Sequence, residues 1–66
     1  MKVIINGISK EIDRDLRLSD LVTLFCKAHK HIVTALNEDI ILAHERENIV
    51  LKEGDSVELV APVGGG

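Results

Sequence analysis

Apolar and polar residues alternate near the start of the chain and predict a β-hairpin. Residues 2–5 read Lys-Val-Ile-Ile, and residues 8–12 read Ile-Ser-Lys-Glu-Ile. Asn6 and Gly7 lie between the two runs. An Asn-Gly pair in this position favours a type I′ turn, because both central residues of that turn need a positive φ. We therefore expect two antiparallel strands joined at Asn6-Gly7.

The spacing of apolar residues then changes to that of a helix. The apolar stripe consists of Leu21, Val22, Phe25, Cys26 and Ala28. This spacing predicts an amphipathic helix of about 11 residues, about 16 Å long, that covers one face of a sheet. Ser19 is interpreted as its N-cap, with Asp20 favourably placed in the first turn.

The second half of the chain predicts two short strands followed by polar and apolar connecting segments. Residues 32–36 and 40–42 are the two strands, the second at a sheet edge. The polar residues 43–48 predict a turn or one helical turn, and the apolar residues 49–51 are expected to dock under it. Gly54 supplies a positive φ for the tight turn that precedes the last strand.

The last ten residues run from an apolar strand into three glycines. Val57, Leu59 and Ala61 share one face of this strand. Because side chains alternate along a strand, Glu58 and Val60 are expected to point to the other face. By the same alternation, inward-pointing Val3 and Ile5 leave Ile4 outward on the first strand.

The glycines mark the end of the predicted domain. Pro62 cannot donate a hydrogen bond to a strand ladder, so regular pairing should stop there. We expect residues 1–62 to form a single domain and residues 63–66 to be a flexible tail. Three terminal glycines arise by chance in about 0.03% of chains, which favours a function for the tail over a frayed end.

Composition narrows the function classes. The chain has 66 residues, so it is one small domain. Its 11 acidic and 8 basic residues, with no basic cluster, argue against nucleic acid as a partner. One cysteine excludes an internal disulfide and fits a reducing compartment. No apolar run reaches membrane-spanning length, so we expect a soluble, cytoplasmic protein without membrane contact.

The residue types that most often carry chemistry do not form a recognisable site. Cys26 lies among apolar residues and is interpreted as a buried small hydrophobe. His29 and His31 are poorly spaced for a shared metal ion, and His44 lies elsewhere, so all three are interpreted as surface residues and no metal site is predicted. The chain is also too small for a substrate cleft, which argues against a conventional enzyme.

The order of elements indicates the fold class. A hairpin, a helix, two strands, a turn and a last strand leave the first and last strands free to pair in parallel. The sequence therefore predicts an α+β protein of the β-grasp, or ubiquitin-like, roll, with a mixed sheet of four to five strands packed on one helix.

The chain resembles the ThiS family, the sulfur carriers of thiamine biosynthesis. The resemblance covers nearly the whole length and rests on five segments: 3–7, 18–21, 35–37, 54–60 and 63–66. One segment departs from the family pattern. Relatives often carry Pro-Arg and an aromatic residue after the short strand, where this chain has Leu-Ala-His-Glu-Arg at residues 42–46. Contacts made there by relatives are not transferred to this chain.

The resemblance implies a chemical role for the tail. A ThiF-like adenylyltransferase would use ATP and Mg²⁺ to adenylate the carboxylate of Gly66. A sulfur donor, a cysteine desulfurase or similar enzyme, would then convert it to a thiocarboxylate for a ThiG-like thiazole synthase. Gly64 and Gly65 would thread into the partner. With no Gly-rich loop between a strand and a helix, the chain is expected to bind no cofactor itself and to act as a protein cosubstrate rather than an enzyme.

The outward sheet face is the predicted docking surface for these partners. Ile4 and Val60, on strands expected to be neighbours, would form a small exposed apolar patch. Scattered surface apolar residues are an equally good explanation. Glu58 and Val63 complete the docking candidates. The acidic pair of Glu53 and Asp55 either steers a basic partner or belongs to a solvated turn.

Three alternatives stay open from the sequence. A molybdopterin-type sulfur carrier has the same tail and a different sulfur acceptor. A ubiquitin-like modifier would be conjugated through Gly66 to a lysine of a target protein. A passive binding module would keep a free carboxylate.

Overall fold

The computed structural model describes residues 1–25 and 32–60. Within these residues the strands are β1 (Lys2–Ile5), β2 (Ile8–Glu11), β3 (Val33–Leu36), β4 (Asp39–Ile41) and β5 (Ser56–Val60). The helix α1 spans Leu18–Phe25, and a 3₁₀ helix spans Ala43–Asn48. The second strand pair is one residue out of step with the prediction, because β3 begins at Val33 and β4 at Asp39.

The strands form one mixed sheet in the order β2-β1-β5-β3-β4. β1 and β5 are parallel, and the other neighbouring strands are antiparallel. This confirms the predicted β-grasp architecture and the parallel pairing of the first and last strands. The strand that comes last in the described chain therefore occupies the centre of the sheet.

Both hairpins turn on an asparagine with positive φ. Asn6 and Gly7 have φ values of 50° and 81°, which confirms the predicted turn. Asn37 and Glu38 have φ values of 50° and 75°, so the second hairpin adopts the same kind of turn without a glycine. Gly54, with φ of 84°, supplies the positive φ predicted for the turn before β5.

The helix begins earlier than predicted, and Ser19 is not its N-cap. The carbonyl of Arg17 accepts the first helical hydrogen bond from Leu21 N–H at 3.1 Å. The carboxylate of Asp20 accepts from Arg17 N–H at 3.1 Å, so Asp20 closes the N-terminal turn. Arg17 is therefore the cap residue.

A backbone bridge explains this early start. Arg17 pairs with Val50, and the flanking bonds join Leu18 N–H to Ile49 O (2.9 Å) and Leu51 N–H to Leu16 O (2.8 Å). The apolar residues 49–51 thus pair with the segment that leads into α1, whereas the sequence predicted that they dock under the 3₁₀ helix. Long-range pairing sets the helix start, and local capping preference does not.

The core lies between α1 and the inner face of the sheet. Its buried cluster consists of Val3, Ile5, Leu18, Leu21, Leu51 and Val57. Phe25, predicted to belong to the apolar stripe, is 47% exposed, because the buried face of the described helix is formed by Leu18 and Leu21. The predictions for Cys26, Ala28 and the C-terminal part of the helix fall outside the described residues.

The 3₁₀ helix carries the segment that departs from the family pattern. Its first turn is closed by Glu45, whose carboxylate accepts from Leu42 N–H at 3.1 Å. The Arg46 guanidinium donates to the carbonyl of Ile32, next to the start of β3. This hydrogen bond therefore ties the 3₁₀ helix to the residue that precedes β3. No helix within the described part of the chain is long and apolar enough to span a membrane.

Candidate functional site: the end of β5 and the outer face of the sheet

β5 connects the core to the predicted tail. It lies between β1 and β3, and Val60 is its last residue. The four predictions for Val63, Gly64, Gly65 and Gly66 fall outside the described residues, as does the predicted end of pairing at Pro62. The described structure therefore defines the strand that leads toward the predicted tail and the surface around Val60.

Side chains along β5 alternate as predicted. Val57 is fully buried and Leu59 packs against the core from a half-buried position. Glu58 and Val60 are exposed on the opposite, outer face of the sheet. The faces assigned from the sequence are therefore correct.

The register separates two residues that the sequence placed in one patch. β1 and β5 are neighbours as predicted, and Ile4 points to the outer face. However, Ile4 pairs with Ser56, four residues before Val60. At roughly 3.3 Å per residue, the two side chains are about 13 Å apart along the strand. A contiguous patch made by Ile4 and Val60 is therefore wrong.

Val60 instead belongs to an apolar cluster with β3 and β4. Val33 pairs directly with Val60, and Ile40 pairs with Ala35, two residues along β3 from Val33. The exposed fractions are 45% for Val33, 55% for Val60 and 66% for Ile40. We call Val33, Ala35, Ile40 and Val60 the outer apolar patch. Ala35 is half-buried between the three exposed side chains. A cluster of solvent-facing apolar residues on one face is typical of a protein interaction site.

The sequence analysis missed Val33, Ala35 and Ile40, although a signal was present. Inward-facing Thr34 and Leu36 require Val33 and Ala35 to face outward, because the side-chain period of a strand is two residues. Faces were assigned from the sequence only for the first and last strands. Extending the alternation to β3 and β4 would have found the patch.

Two asparagine side chains hold the backbone of β5 from opposite sides. The Asn6 amide accepts from Leu59 N–H at 2.8 Å and donates to Leu59 O at 3.3 Å. The Asn37 side chain accepts from Ser56 N–H at 2.9 Å and donates to the Asp55 carboxylate at 3.1 Å. The hairpin turns therefore fix both the first residue of β5 and its next-to-last residue.

The acidic residues near β5 differ in their contacts and exposure. The Glu53 carboxylate accepts from Lys2 N–H, and the Asp55 carboxylate accepts from Lys52 N–H at 2.8 Å as well as from Asn37. These contacts support the turn interpretation of Glu53 and Asp55. Glu58 is exposed beside the outer apolar patch, opposite Ala35 on β3.

Among the carboxylates of residues 1–25 and 32–60, one has a shifted pKa, and it lies away from β5. The N-terminal ammonium of Met1 lies 3.0 Å from Glu11 on β2 and lowers the pKa of that carboxyl below its usual value. The same ammonium donates to Ile12 O at 2.7 Å. This contact closes the open end of the first hairpin.

Potential metal ligands do not gather in the part of the chain that the structure describes. No group of three or more His, Cys, Asp or Glu side chains with metal-binding geometry occurs in residues 1–25 and 32–60. His44 is exposed on the 3₁₀ helix, as predicted for a surface residue. The interpretations of Cys26, His29 and His31 fall outside the described residues.

Comparison with known proteins agrees with this geometry. A search of curated protein sequences finds no significant match. Among solved structures, the crystal structure of the thiamine biosynthesis protein ThiS from Geobacter metallireducens superimposes with a TM-score of 0.84 at 25% identity, covering 100% of both chains. An NMR structure of a thiamine biosynthesis protein from the same organism gives a TM-score of 0.79 at 25% identity, covering 100% of this chain and 88% of the other.

The sequence profile of the ThiS family matches residues 3–66, from β1 to the terminal glycine. The match spans the five strands, the helix and the segment that carries the predicted tail. The chain therefore belongs to the ThiS family.

Proposed function

We propose that this protein is the sulfur carrier of a thiamine biosynthesis pathway, acting in the cytoplasm through its C-terminal carboxylate. The observation that carries the proposal is the family match from residue 3 to Gly66. The likeness to two thiamine biosynthesis proteins supports the same conclusion. No specific observation on this chain favours a molybdopterin-type carrier, a protein modifier or a passive binding module.

The chemistry starts at Gly66. A carboxylate is ionised at neutral pH and is a poor electrophile, so it needs activation before sulfur can attack. A ThiF-like adenylyltransferase joins the carboxylate to the α-phosphorus of ATP and releases pyrophosphate. The outer sulfur of a persulfide, delivered by a cysteine desulfurase or similar donor, attacks the acyl carbon, and AMP leaves. A second thiol on a partner then attacks the donor's sulfur in the resulting acyl disulfide, which breaks the S–S bond and forms a disulfide between the two thiols. Gly66 is left with a thiocarboxylate, the form that a ThiG-like thiazole synthase consumes.

The partner supplies ATP binding and Mg²⁺, and this chain supplies the substrate end. Glycine has no Cβ, so Gly64 and Gly65 enter a narrow channel and leave the acyl carbon unhindered. Residues 63–66, fully extended, reach at most about 14 Å beyond the domain. That length separates the reacting carboxylate from the folded body.

The outer apolar patch is the proposed docking surface for the adenylyltransferase. It includes Val60, the last residue of β5, so a partner seated on the patch also meets the base of the tail. Of the docking candidates from the sequence, Glu58 and Val60 lie in or beside the patch. Ile4 lies outside it on the same face.

Mass spectrometry of the protein isolated from cells tests the function. Replacement of one terminal oxygen by sulfur is expected, mapped to Gly66 by fragmentation. Conjugates of higher mass on lysines would support a modifier instead, and a carboxylate that stays unmodified under every condition would support a passive binding module. Incubating the thiocarboxylate form with thiazole synthase and with molybdopterin synthase identifies the acceptor.

Bulky substitution of the tail separates activation from folding. Gly65→Trp and Gly66→Trp are expected to abolish adenylation while the thermal melt stays unchanged. Normal adenylation of either variant would contradict the requirement for a slim, unhindered end.

A further inference from the structure

The two edges of β5 are supported to different lengths. On one side, β3 pairs with β5 as far as Val60. On the other side, β1 ends at Ile5, opposite Val57, so β5 continues for three residues beyond its last strand partner. Backbone groups of alternate residues face the same neighbour, and on this side they belong to Val57 and Leu59.

The Asn6 side chain occupies the place that a further residue of β1 would take. Asn6 N–H donates to Val57 O at 2.9 Å and thereby ends the backbone pairing. The side-chain amide then meets both the N–H and the C=O of Leu59. One amide thus satisfies the last pair of backbone groups on the β1 side of the described strand. Without it, the part of β5 beyond Val57 would be held by β3 only.

We propose that Asn6 is a positioning residue for the reaction at Gly66, acting through Leu59. This inference rests on the proposed function. By fixing Leu59, Asn6 sets the direction of the last residues of β5, and Leu59 lies seven residues before Gly66. When the body of the carrier is docked, a fixed end of β5 keeps the carboxylate within reach of the α-phosphate of ATP.

Asn37 provides a matched control on the opposite side of the same strand. It has the same φ as Asn6, lies at the same position of a two-residue turn and also accepts from a backbone N–H of β5. Its contact is with Ser56, the first residue of β5, at the end of the strand away from the tail. Loss of this amide weakens the fold in a similar way without freeing the end of β5.

The test compares Asn6→Gly with Asn37→Gly in single-turnover adenylation by a ThiF-like adenylyltransferase with ATP and Mg²⁺. Glycine accepts the positive φ, so each substitution keeps the turn and removes the amide. For Asn6→Gly we expect a maximal rate roughly tenfold lower, with the half-saturating carrier concentration within about twofold of the wild type. Asn37→Gly is expected to stay within about twofold in both quantities.

The split between the two quantities separates positioning from stability. An unfolded fraction reduces the concentration of competent carrier, so it raises the half-saturating concentration and leaves the maximal rate unchanged. Asn6→Asp is the second variant. It tolerates the positive φ and accepts from Leu59 N–H but cannot donate to Leu59 O, and its maximal rate is expected to fall between the other two.

Amide hydrogen exchange checks the physical cause directly. The Leu59 amide is expected to exchange faster in Asn6→Gly, and the Ser56 amide in Asn37→Gly. An Asn6→Gly variant that reacts as fast as Asn37→Gly, or whose Leu59 amide stays protected, overturns the positioning role alone. A wild-type chain that is not adenylated overturns the proposed function, and the positioning role with it.

Discussion

The two faces of the sheet differ in the burial of their apolar side chains. The inner face contributes Val3, Ile5 and Val57 to the core beneath α1, and all three are buried. The outer face carries Val33, Ile40 and Val60, which are apolar but exposed. Apolar residues are therefore present on both sides, and only those under the helix are covered by the described chain.

This difference separates folding from recognition. Burial of the inner residues stabilises the domain, since apolar burial contributes about 25 cal/mol per Å². The outer residues contribute little to stability while they face water. Substitutions on the inner face should change the free energy of unfolding, and substitutions on the outer apolar patch should change partner binding.

The largest effect is expected from truncating the helix residue at the centre of the core. Leu21 is fully buried, and Leu21→Ala should lower the free energy of unfolding by about 2–4 kcal/mol. A 66-residue domain has only about 3–10 kcal/mol in total, so much of the protein should unfold on mild heating. Leu24→Ala, on the exposed side of the same helix, should stay within about 0.5 kcal/mol. Equal denaturant midpoints for the two variants would contradict the core assignment.

The next effect should appear in binding alone. Ile40→Asp places a charge in the outer apolar patch and is expected to raise the half-saturating concentration for adenylation about tenfold, since an unpaired charge is costly to desolvate on docking. The maximal single-turnover rate should not change. Asn6→Gly is expected to do the opposite, since it should lower the maximal rate and leave the half-saturating concentration nearly unchanged.

Ile8→Asp is the control for the same apolar-to-acidic change on an edge strand away from this surface. Ile8 lies on the other edge strand, β2, where its pairing with Ile5 places it on the inner face, and it is 60% exposed there. The half-saturating concentration and maximal rate of adenylation of Ile8→Asp should match those of the wild type within about twofold. The thermal melts of Ile8→Asp and Ile40→Asp should coincide. If both variants bind equally well, the partner docks elsewhere.

A smaller effect is expected at the one fully buried polar side chain of the described inner face. Thr34 is 0% exposed, and its hydroxyl has no hydrogen-bond partner within the described residues. Thr34→Val removes this hydroxyl at nearly constant volume and should raise the free energy of unfolding by about 1 kcal/mol. The corresponding rise in Tm is about 4–8 °C. Thr34→Ser keeps the hydroxyl and loses a methyl group, so it should lower Tm.

The smallest effect concerns the ion pair at the edge of the sheet. The Met1 ammonium lowers the pKa of Glu11, so the carboxylate stabilises the fold above its usual pKa near 4.5. This contribution should be lost as pH falls through the lowered pKa of the folded state. Glu11→Gln should show a slightly lower Tm at neutral pH and a flatter Tm profile on acidification. Identical profiles for the two proteins would show that the pair contributes nothing.

Local signals in the sequence predicted the turns and the faces of the strands. Asn6, Gly7 and Gly54 have positive φ. Each turn needs this conformation at only one or two neighbouring residues, so the residue types at those positions predict it. The alternation of Val57 and Glu58 likewise follows from the strand period. The turn at Asn37-Glu38 carries no glycine, so its positive φ values were not predictable by the same rule.

The helix start and the register of the parallel strands depend on distant residues, and neither was predicted. Ser19 is a better intrinsic N-cap than Arg17, but the bridge from Arg17 to Val50 fixes the helix start. The register of β1 against β5 depends on a parallel pairing of segments about 50 residues apart in sequence, and it moved Ile4 away from Val60. The chemistry proposed for Gly66 came from resemblance to a family, since glycines alone specify no reaction.

The central place of β5 also governs how the chain assembles. β1–β2 and β3–β4 are local hairpins. In the sheet, β5 (residues 56–60) lies between them and joins them. A nascent chain that stops short of these residues holds two hairpins with bare inner edges, the kind of surface that pairs with foreign strands. The strand that precedes the predicted tail is also the one that joins the two halves of the sheet, so under the proposed function the end of the chain reaches a partner only after the sheet is complete.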